Sequence, residues 1–512
     1  MNESHENRIK SEDTAPRTPD SQKDGDAKVI GLAMDVKELD VNVGNSDIHW
    51  TKAEERALVR RLDLRIMPLV TFLYLCNFID RANIGNAKVA GLTDDLDLVG
   101  YQYNIGLSLF YVAYIVIEVP SNLLLKRFGA TLWLSSLVLA FGAICFCTAF
   151  IRNFGHFVVI RILLGLTEGG MMPGIAYYLS TWYKKDELAL RMGIFVSAAS
   201  MSGAFGGLLA TGFLSVPQLA GLPTGRWRNI FLFEGIITML AAFLGYSLLP
   251  RSPGGSKFLQ GRERDIAMQR IQAENAGLVE EETTEWDLVL RAWFNMTNWI
   301  CALGFFLTNI TIQGMVLFMP SLIAGMGYSH IDSQLLTVPP YILASAWSIL
   351  LAWFSQRSSK RGMWILVSAP ICVLGSGLLI GTEIHGVQYT GIFFLAMGAF
   401  PLGPLFMTWA SNNSAPYTTR SVSVAMVVSL GSLGPIVSAW VYLPTDQPRY
   451  LTGLSVQLGG QVGICVITAF LIFWNMRENR LRQEGKRDYL LDADEATVAR
   501  LGNLNPRFKL TI

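Results

Sequence analysis

Residues 157–174 read FVVIRILLGLTEGGMMPG, and Tyr177 to Ser180 carry the run on to the length of a membrane span. Arg161, Gly165, Glu168, Gly169 and Met172 follow at three- and four-residue steps, so a helix puts a guanidinium, a carboxylate and two glycines on one face. The opposite face is almost purely aliphatic. A charge at the centre of a bilayer costs about 2.5 to 3.5 kcal/mol on insertion scales, so two on one span need a protein-lined, hydrated place to point. This one stretch therefore predicts a polytopic membrane protein with a polar interior path, and the function is expected along that path.

The rest of the 512 residues agrees. Of these, 51% are hydrophobic and 16% charged, against about 25% charged in an ordinary soluble domain. With 41 Lys plus Arg against 40 Asp plus Glu, the net charge is +1, and nothing in the bulk electrostatics points to nucleic acid. Cys76, Cys145, Cys147, Cys301, Cys372 and Cys465 sit in apolar runs without metal-ligand spacing, so no metal and no disulfide framework is expected. No phosphate-binding Gly-rich lysine loop occurs, and His5, His49, His156, His330 and His385 fall in tails or loops. The sequence thus predicts no enzyme and no cofactor.

Hydropathy predicts twelve spans in two sets of six. The first set lies near Ile66–Ile84, Tyr103–Leu125, Thr131–Ile151, Phe157–Ser180, Met192–Leu214 and Ile230–Leu249. The second lies near Trp299–Met319, Leu335–Phe354, Met363–Ile380, Gly391–Trp409, Val422–Leu443 and Leu458–Trp474. The expected organisation is a disordered cytosolic tail (1–60), a six-helix bundle (61–250), a cytosolic connector (251–298), a second six-helix bundle (299–476) and a cytosolic tail (477–512). With the N-terminus inside, internal loops hold Lys126, Arg127, Lys184, Lys185, Arg191, Arg357, Lys360, Arg361 and Arg420, and external ones only Lys88, Arg152, Arg226, Arg228 and Arg449. That bias obeys the positive-inside rule and places both termini in the cytosol, the plasma membrane being the expected location. Six plus six spans about a central loop is the symmetry of transporters that bind substrate at the midplane between two halves.

The first span carries Asn77, Asp80 and Arg81. At ~1.5 Å per residue Arg81 lies about 22 Å above the cytosolic edge of a ~30 Å core, Arg161 reaches nearly that level, and Glu168 lies about 10 Å lower. Two cations above an acid point to an anion site over a proton site, with Arg81, Arg161, Asn77 and Gln313 as substrate contacts and Glu168 and Asp80 as proton-coupling groups. A purely structural alternative pairs Asp80 with Arg81 or Arg161 to lock helices together. Glu118, near Lys126 and Arg127, reads as a structural gate. Glu234 sits about one turn below the interfacial Arg226-Trp227-Arg228, and Asn412 and Asn413 close the tenth span as gate or helix-end residues.

Several ordered matches then carry a resemblance: Asp80-Arg-Ala-Asn-Ile-Gly-Asn86, Glu118-Val-Pro-Ser-Asn122, Arg161 to Gly174, Gln334-Leu-Leu-Thr-Val-Pro-Pro-Tyr341 and Asn412-Asn-Ser-Ala-Pro416. From about Thr51 onward the chain resembles the major facilitator superfamily and, within it, the fungal branch of the anion:cation symporter family that includes allantoate and nicotinate permeases. The resemblance implies an all-α, twelve-helix, two-bundle fold that rocks about a central cavity. It also implies that Arg81 and Arg161 hold a small organic anion while Glu168 couples protons. The partners expected are the anion, protons and the lipid bilayer, with the chain acting as a monomer and without nucleic acid. Lys126-Arg127-Phe128-Gly129 and Ser355-Gln356-Arg357 depart from the superfamily's usual acid-and-arginine loop signature. Export of an acidic secondary metabolite, or a transport-dead nutrient receptor, remain the alternative readings.

Overall fold

The computed structural model describes residues 50–512 except 218–222, 257, 276–285, 359, 416, 448 and 492–500. The disordered cytosolic tail expected before residue 50 lies outside the described residues. The twelve spanning helices are α1 (Lys52–Val89), α2 (Gln102–Phe128), α3 (Ala130–Thr148), α4 (Phe154–Ser180), α5 (Lys185–Ser215) and α6 (Trp227–Leu248), then α7 (Met296–Ala324), α8 (His330–Ser358), α9 (Arg361–Gly381), α10 (His385–Asn412), α11 (Thr419–Val441) and α12 (Leu451–Gln483). Ten of them are long and apolar enough to cross a membrane. The other two, α2 and α5, reach 27 and 31 residues with more small and polar side chains. Leu240, Phe243, Val466 and Phe473 stay exposed on α6 and α12, an apolar outer surface suited to lipid.

Several helices overrun the apolar runs that announce them. The first begins at Lys52, not near Ile66, because Thr51 and Glu54 form a reciprocal capping box and Glu54 and Glu55 fill the first turn. Residues 52–60, read from composition as tail, are therefore helical. Likewise α12 continues past Trp474 to Gln483, with Arg480 and Arg482 in its last turn. The start of α1 and the end of α12 define one end of the molecule, called here the terminal face.

At the terminal face, ion pairs tie the connector to the first bundle. Arg262 pairs with Glu54, Arg61 with Glu263, and the fully buried Arg270 with Glu187, while Arg191 grips Asp63 through two 2.7 Å hydrogen bonds. The chain's last stretch also packs here. The Asn413 side chain accepts from the Thr511 N–H at 2.7 Å and donates to its carbonyl at 3.1 Å. Trp409 and Asn475 donate to that same carbonyl, and Asn479 exchanges two 2.9 Å bonds with Leu510.

Among the described residues four spans are interrupted: α8 at Leu336-Thr337, α11 at Ser432-Leu433, and the two that follow. Within α4 the helix breaks at Gly169-Gly170, and within α10 it breaks at Phe400-Pro401. These are corresponding spans of the two halves, and paired interruptions of this kind mark the binding region in transporters built from repeats.

Candidate functional site

A cavity of about 500 Å³ lies between the two halves, walled by Arg81, Tyr111 and Tyr114 on one side and by Gln313, Trp353 and Phe400 on the other. It extends to Gln356 and Arg361 at the terminal face. At the opposite face the halves touch. Asn104 donates to the carbonyls of Ala439 and Tyr442, Gln334 donates to that of Asn86, and a Cβ on Gly85 would lie 2.6 Å from the Leu317 carbonyl oxygen. The conformation is open towards the terminal face.

Arg81 is the cation of the upper wall. Its Nε donates to Glu168 Oε2 at 2.8 Å, and Asn77 Nδ2 donates to the same oxygen at 2.9 Å. Glu168 is fully buried, and its Oε1 has no hydrogen-bond partner among the described residues. The guanidinium of Arg81 also lies 4.6 Å from the Tyr114 ring centroid and 4.8 Å from that of Phe78, so aromatic faces cover it where water does not. Across the cavity Gln313 Oε1 accepts a 2.8 Å bond from Tyr111 Oη, a polar link between α2 and α7.

The pairing of Arg81 with Glu168 follows from the direction of side chains on a helix. Cα–Cβ bonds tilt towards a helix's N-terminus. Because α1 rises from the terminal face, Arg81 leans back down towards Glu168 and closes the gap of about 10 Å expected from helical rise. The fourth helix runs the other way, so Arg161 leans up and away, over the Phe157 ring one turn before it at 5.5 Å. Gly165 and Gly169 face α2, where an added Cβ would overlap the carbonyls of Phe110 and Tyr114; their absence of side chains lets α4 lie against α2.

Arg161 is not among the cavity-lining residues. It is 2% exposed, and its Nε and Nη2 have no hydrogen-bond partner among the described residues. It lies within electrostatic range of Cys145 and Glu234. Those two groups and Asp80 offer ligand atoms within 4.8 Å of one another, all buried. Asn83 donates to Glu234 Oε2 at 2.6 Å, while Asp80, which accepts from no donor by hydrogen-bond geometry among the described residues, lies against the Cys145 thiol and the Glu168 carboxyl. Two carboxylates and a thiol are a donor set for a borderline divalent cation, but the nearby arginine supplies the positive charge already, which favours a charge cluster over a metal site. If Arg161 serves there as the charge partner, Asp80→Asn and Arg161→Gln should each lower surface expression, and the double variant should recover it, read by surface biotinylation. A double variant no better than Arg161→Gln alone would contradict that role.

The other sequence candidates scatter. Glu118 is half-buried with no ion pair among the described residues, Arg127 stacks at 6.0 Å on Phe128, and the side chain of Lys126 lies outside the described residues. Asn413 holds the extended segment at Thr511 and Asn412 ends α10. The cavity aromatics Tyr111, Tyr114 and Trp353 went unread in the sequence. Only the i, i+3 spacing of Tyr111 and Tyr114 on the helix that also carries Glu118 could have flagged two of them.

With the fold and the cavity in place, comparison settles the family. Residues 70–439 match the profile of the Major Facilitator Superfamily. The chain belongs to the major facilitator superfamily. Among curated members, the high-affinity nicotinic acid transporter of Saccharomyces cerevisiae is 32% identical over 458 residues, covering 89% of this chain and 84% of that protein. An uncharacterised transporter of Schizosaccharomyces pombe is 33% identical over 462 residues, covering 89% and 90%. Among solved superfamily structures, the partially occluded inward-open xylose transporter of E. coli aligns with a TM-score of 0.60 at 14% identity, covering 78% of this chain and 97% of that one. A bacterial homologue of the human lysosomal transporter Spinster, inward-facing and unoccupied, gives 0.60 at 15% identity, covering 82% and 97%. As a member of the superfamily, the protein is a multi-pass membrane transporter and not an enzyme.

Proposed function

We propose that the protein is a proton-coupled symporter that carries a small organic anion into the cell, a carboxylate of the allantoate or nicotinate class, and that it falls in the fungal branch of the anion:cation symporters. The observation that carries this reading is the ion pair between Arg81, which lines the cavity, and the buried Glu168 behind it. One guanidinium has two claimants, the buried glutamate behind it and an anion in front of it. While Glu168 is ionised it holds Arg81, and a substrate carboxylate must compete. Once Glu168 takes a proton, that hold weakens and the planar fork of Arg81 is free to grip a carboxylate with paired hydrogen bonds. Proton and anion then bind together, and linkage makes the effect reciprocal.

Asn77 keeps Glu168 beside Arg81, and Gln313 with Tyr111 offers polar contacts to the rest of the substrate. The aromatic wall suits a compact body with one charged end. The relative named for nicotinic acid transport supports the same class. Uptake of a panel of labelled organic anions, nicotinate and allantoate among them, should be tested in a strain lacking the protein, at acidic and neutral pH. The reading predicts accumulation of at least one anion that rises as external pH falls and collapses with a protonophore; a gradient-driven carrier indifferent to both would refute it.

We further propose that the terminal face is cytosolic and that the protein acts in the plasma membrane as a monomer. The basic loops and the arginine-rich network of the connector lie at that face. In a background without native cysteines, Gln260→Cys should react with an impermeant thiol reagent only in permeabilised cells, and Asp332→Cys in intact ones. The reverse pattern would invert the orientation.

A further inference from the structure

Lys88 ends α1 at the face remote from the chain termini, and it is half-buried with no carboxylate partner among the described residues. Aromatic rings surround it instead. Its ammonium lies 4.7 Å from the ring centroid of Tyr103, 5.0 Å from that of Phe318 and 5.7 Å from that of Tyr450, and it donates to Tyr450 Oη at 3.4 Å. Tyr103 stands on α2, with Lys88 in the first half of the molecule. Phe318 stands on α7 and Tyr450 caps α12, both in the second half.

The second half presents its rings at some conformational cost. Tyr450 occupies the left-handed region, φ 48° and ψ 46°, which side chains other than glycine rarely adopt. It is held there by its N–H donating to the Asp446 carbonyl at 2.7 Å and by Gln447 donating to its hydroxyl at 2.7 Å. Phe318 stacks on Tyr442 at 4.8 Å and 12° between planes, and Tyr442 in turn neighbours Tyr450. Strain maintained by this many contacts is a mark of a site that does something.

We propose that Lys88 and its three-ring cage are the latch of the gate at this face, closed in the present conformation and parted when the cavity opens to the opposite side. A lysine ammonium is strongly hydrated, and in the closed state the π-faces replace part of the lost water. Two of the three rings belong to the other half. When the halves separate here, Phe318 and Tyr450 leave with it and the ammonium returns to water. The cage therefore contributes stability to one of two states, which is what a gate requires. It depends on neither the substrate nor the orientation in the cell, so its failure and that of the symport reading are distinguishable.

The test is a distance measurement on the full chain in lipid nanodiscs, without native cysteines, with spin labels at Val99→Cys and Ile384→Cys, both exposed and on opposite halves at this face. Lys88→Met keeps the stem and removes the charge. It should raise the ratio of long to short separations by roughly two- to thirtyfold, the equilibrium shift corresponding to ~0.5 to 2 kcal/mol of cation–π attraction. Lys88→Arg keeps a cation over the rings and should stay near wild type. Should Lys88→Met fail to fold, Phe318→Leu removes one wall of the cage and carries the same expectation. An unchanged ratio in Lys88→Met, or in Phe318→Leu where that variant stands in, overturns the proposal, as does an equal shift in Lys88→Arg.

Discussion

Replacing Arg81 with alanine is expected to abolish uptake. The guanidinium faces the cavity and bonds to Glu168 at 2.8 Å, so the change removes the counter-charge proposed for the anion and leaves a carboxylate buried without its cation. Truncating one partner of a buried, hydrogen-bonded charge pair costs about 2 to 5 kcal/mol, which is roughly thirtyfold or more in affinity. Part of that loss falls on folding rather than on binding. The two parts separate in the double variant Arg81→Ala with Glu168→Gln, in which no unpaired charge remains at that position. Surface expression should return there and uptake should not. Arg81→Lys keeps the charge on a flexible stem but loses the fork, and it should weaken a carboxylate substrate by more than a charge argument predicts. Normal uptake in Arg81→Ala would remove it from the substrate path.

Glu168→Gln should abolish uphill accumulation at every pH while leaving exchange of internal for external substrate intact. Glutamine has nearly the same shape and can still accept a hydrogen bond from Asn77 and Arg81, so the cavity wall survives. What it lacks is a site that alternates between holding and releasing Arg81. On the proposed mechanism the neutral amide holds Arg81 more weakly than a carboxylate at every pH, so the anion should bind without a proton and the coupling that drives accumulation should be lost. The expected signature is a flat pH profile of exchange beside an acid-stimulated profile in the wild type. Acid-stimulated accumulation in Glu168→Gln would take the glutamate out of the mechanism.

The architecture was legible because the bilayer imposes it. Spans long enough to cross and a bias of basic residues to one set of loops leave few folds to choose from, and α1 to α12 follow the twelve apolar runs. The ends were not, since Thr51 and Glu54 extend α1 through a capping interaction and not through hydrophobicity. At the site, periodicity found the charged face of α4 and placed Glu168 on it. It could not tell which arginine would reach the acid, because rise per residue fixes the height of a Cα and says nothing of the lean of a side chain. That lean sends Arg81 to Glu168 and Arg161 away towards the cluster of Asp80, Cys145 and Glu234. Aromatic residues are common in all spans, so nothing in the sequence singled out Trp353 or Phe400 as cavity walls. Asn413 was legible as a polar helix end, but its bonds to Thr511 depend on a segment nearly a hundred residues away that reads as ordinary polar tail.

If Arg81 is shared as proposed, a proton on Glu168 and an anion on Arg81 arrive together. Purified protein in weakly buffered solution with a pH indicator reports this directly when nicotinate, or whichever anion of the panel accumulates, is added. The wild type should take up about one proton per anion bound and Glu168→Gln none, with binding itself retained in the variant. Anion binding without proton uptake in the wild type, or with equal uptake in Glu168→Gln, would contradict it.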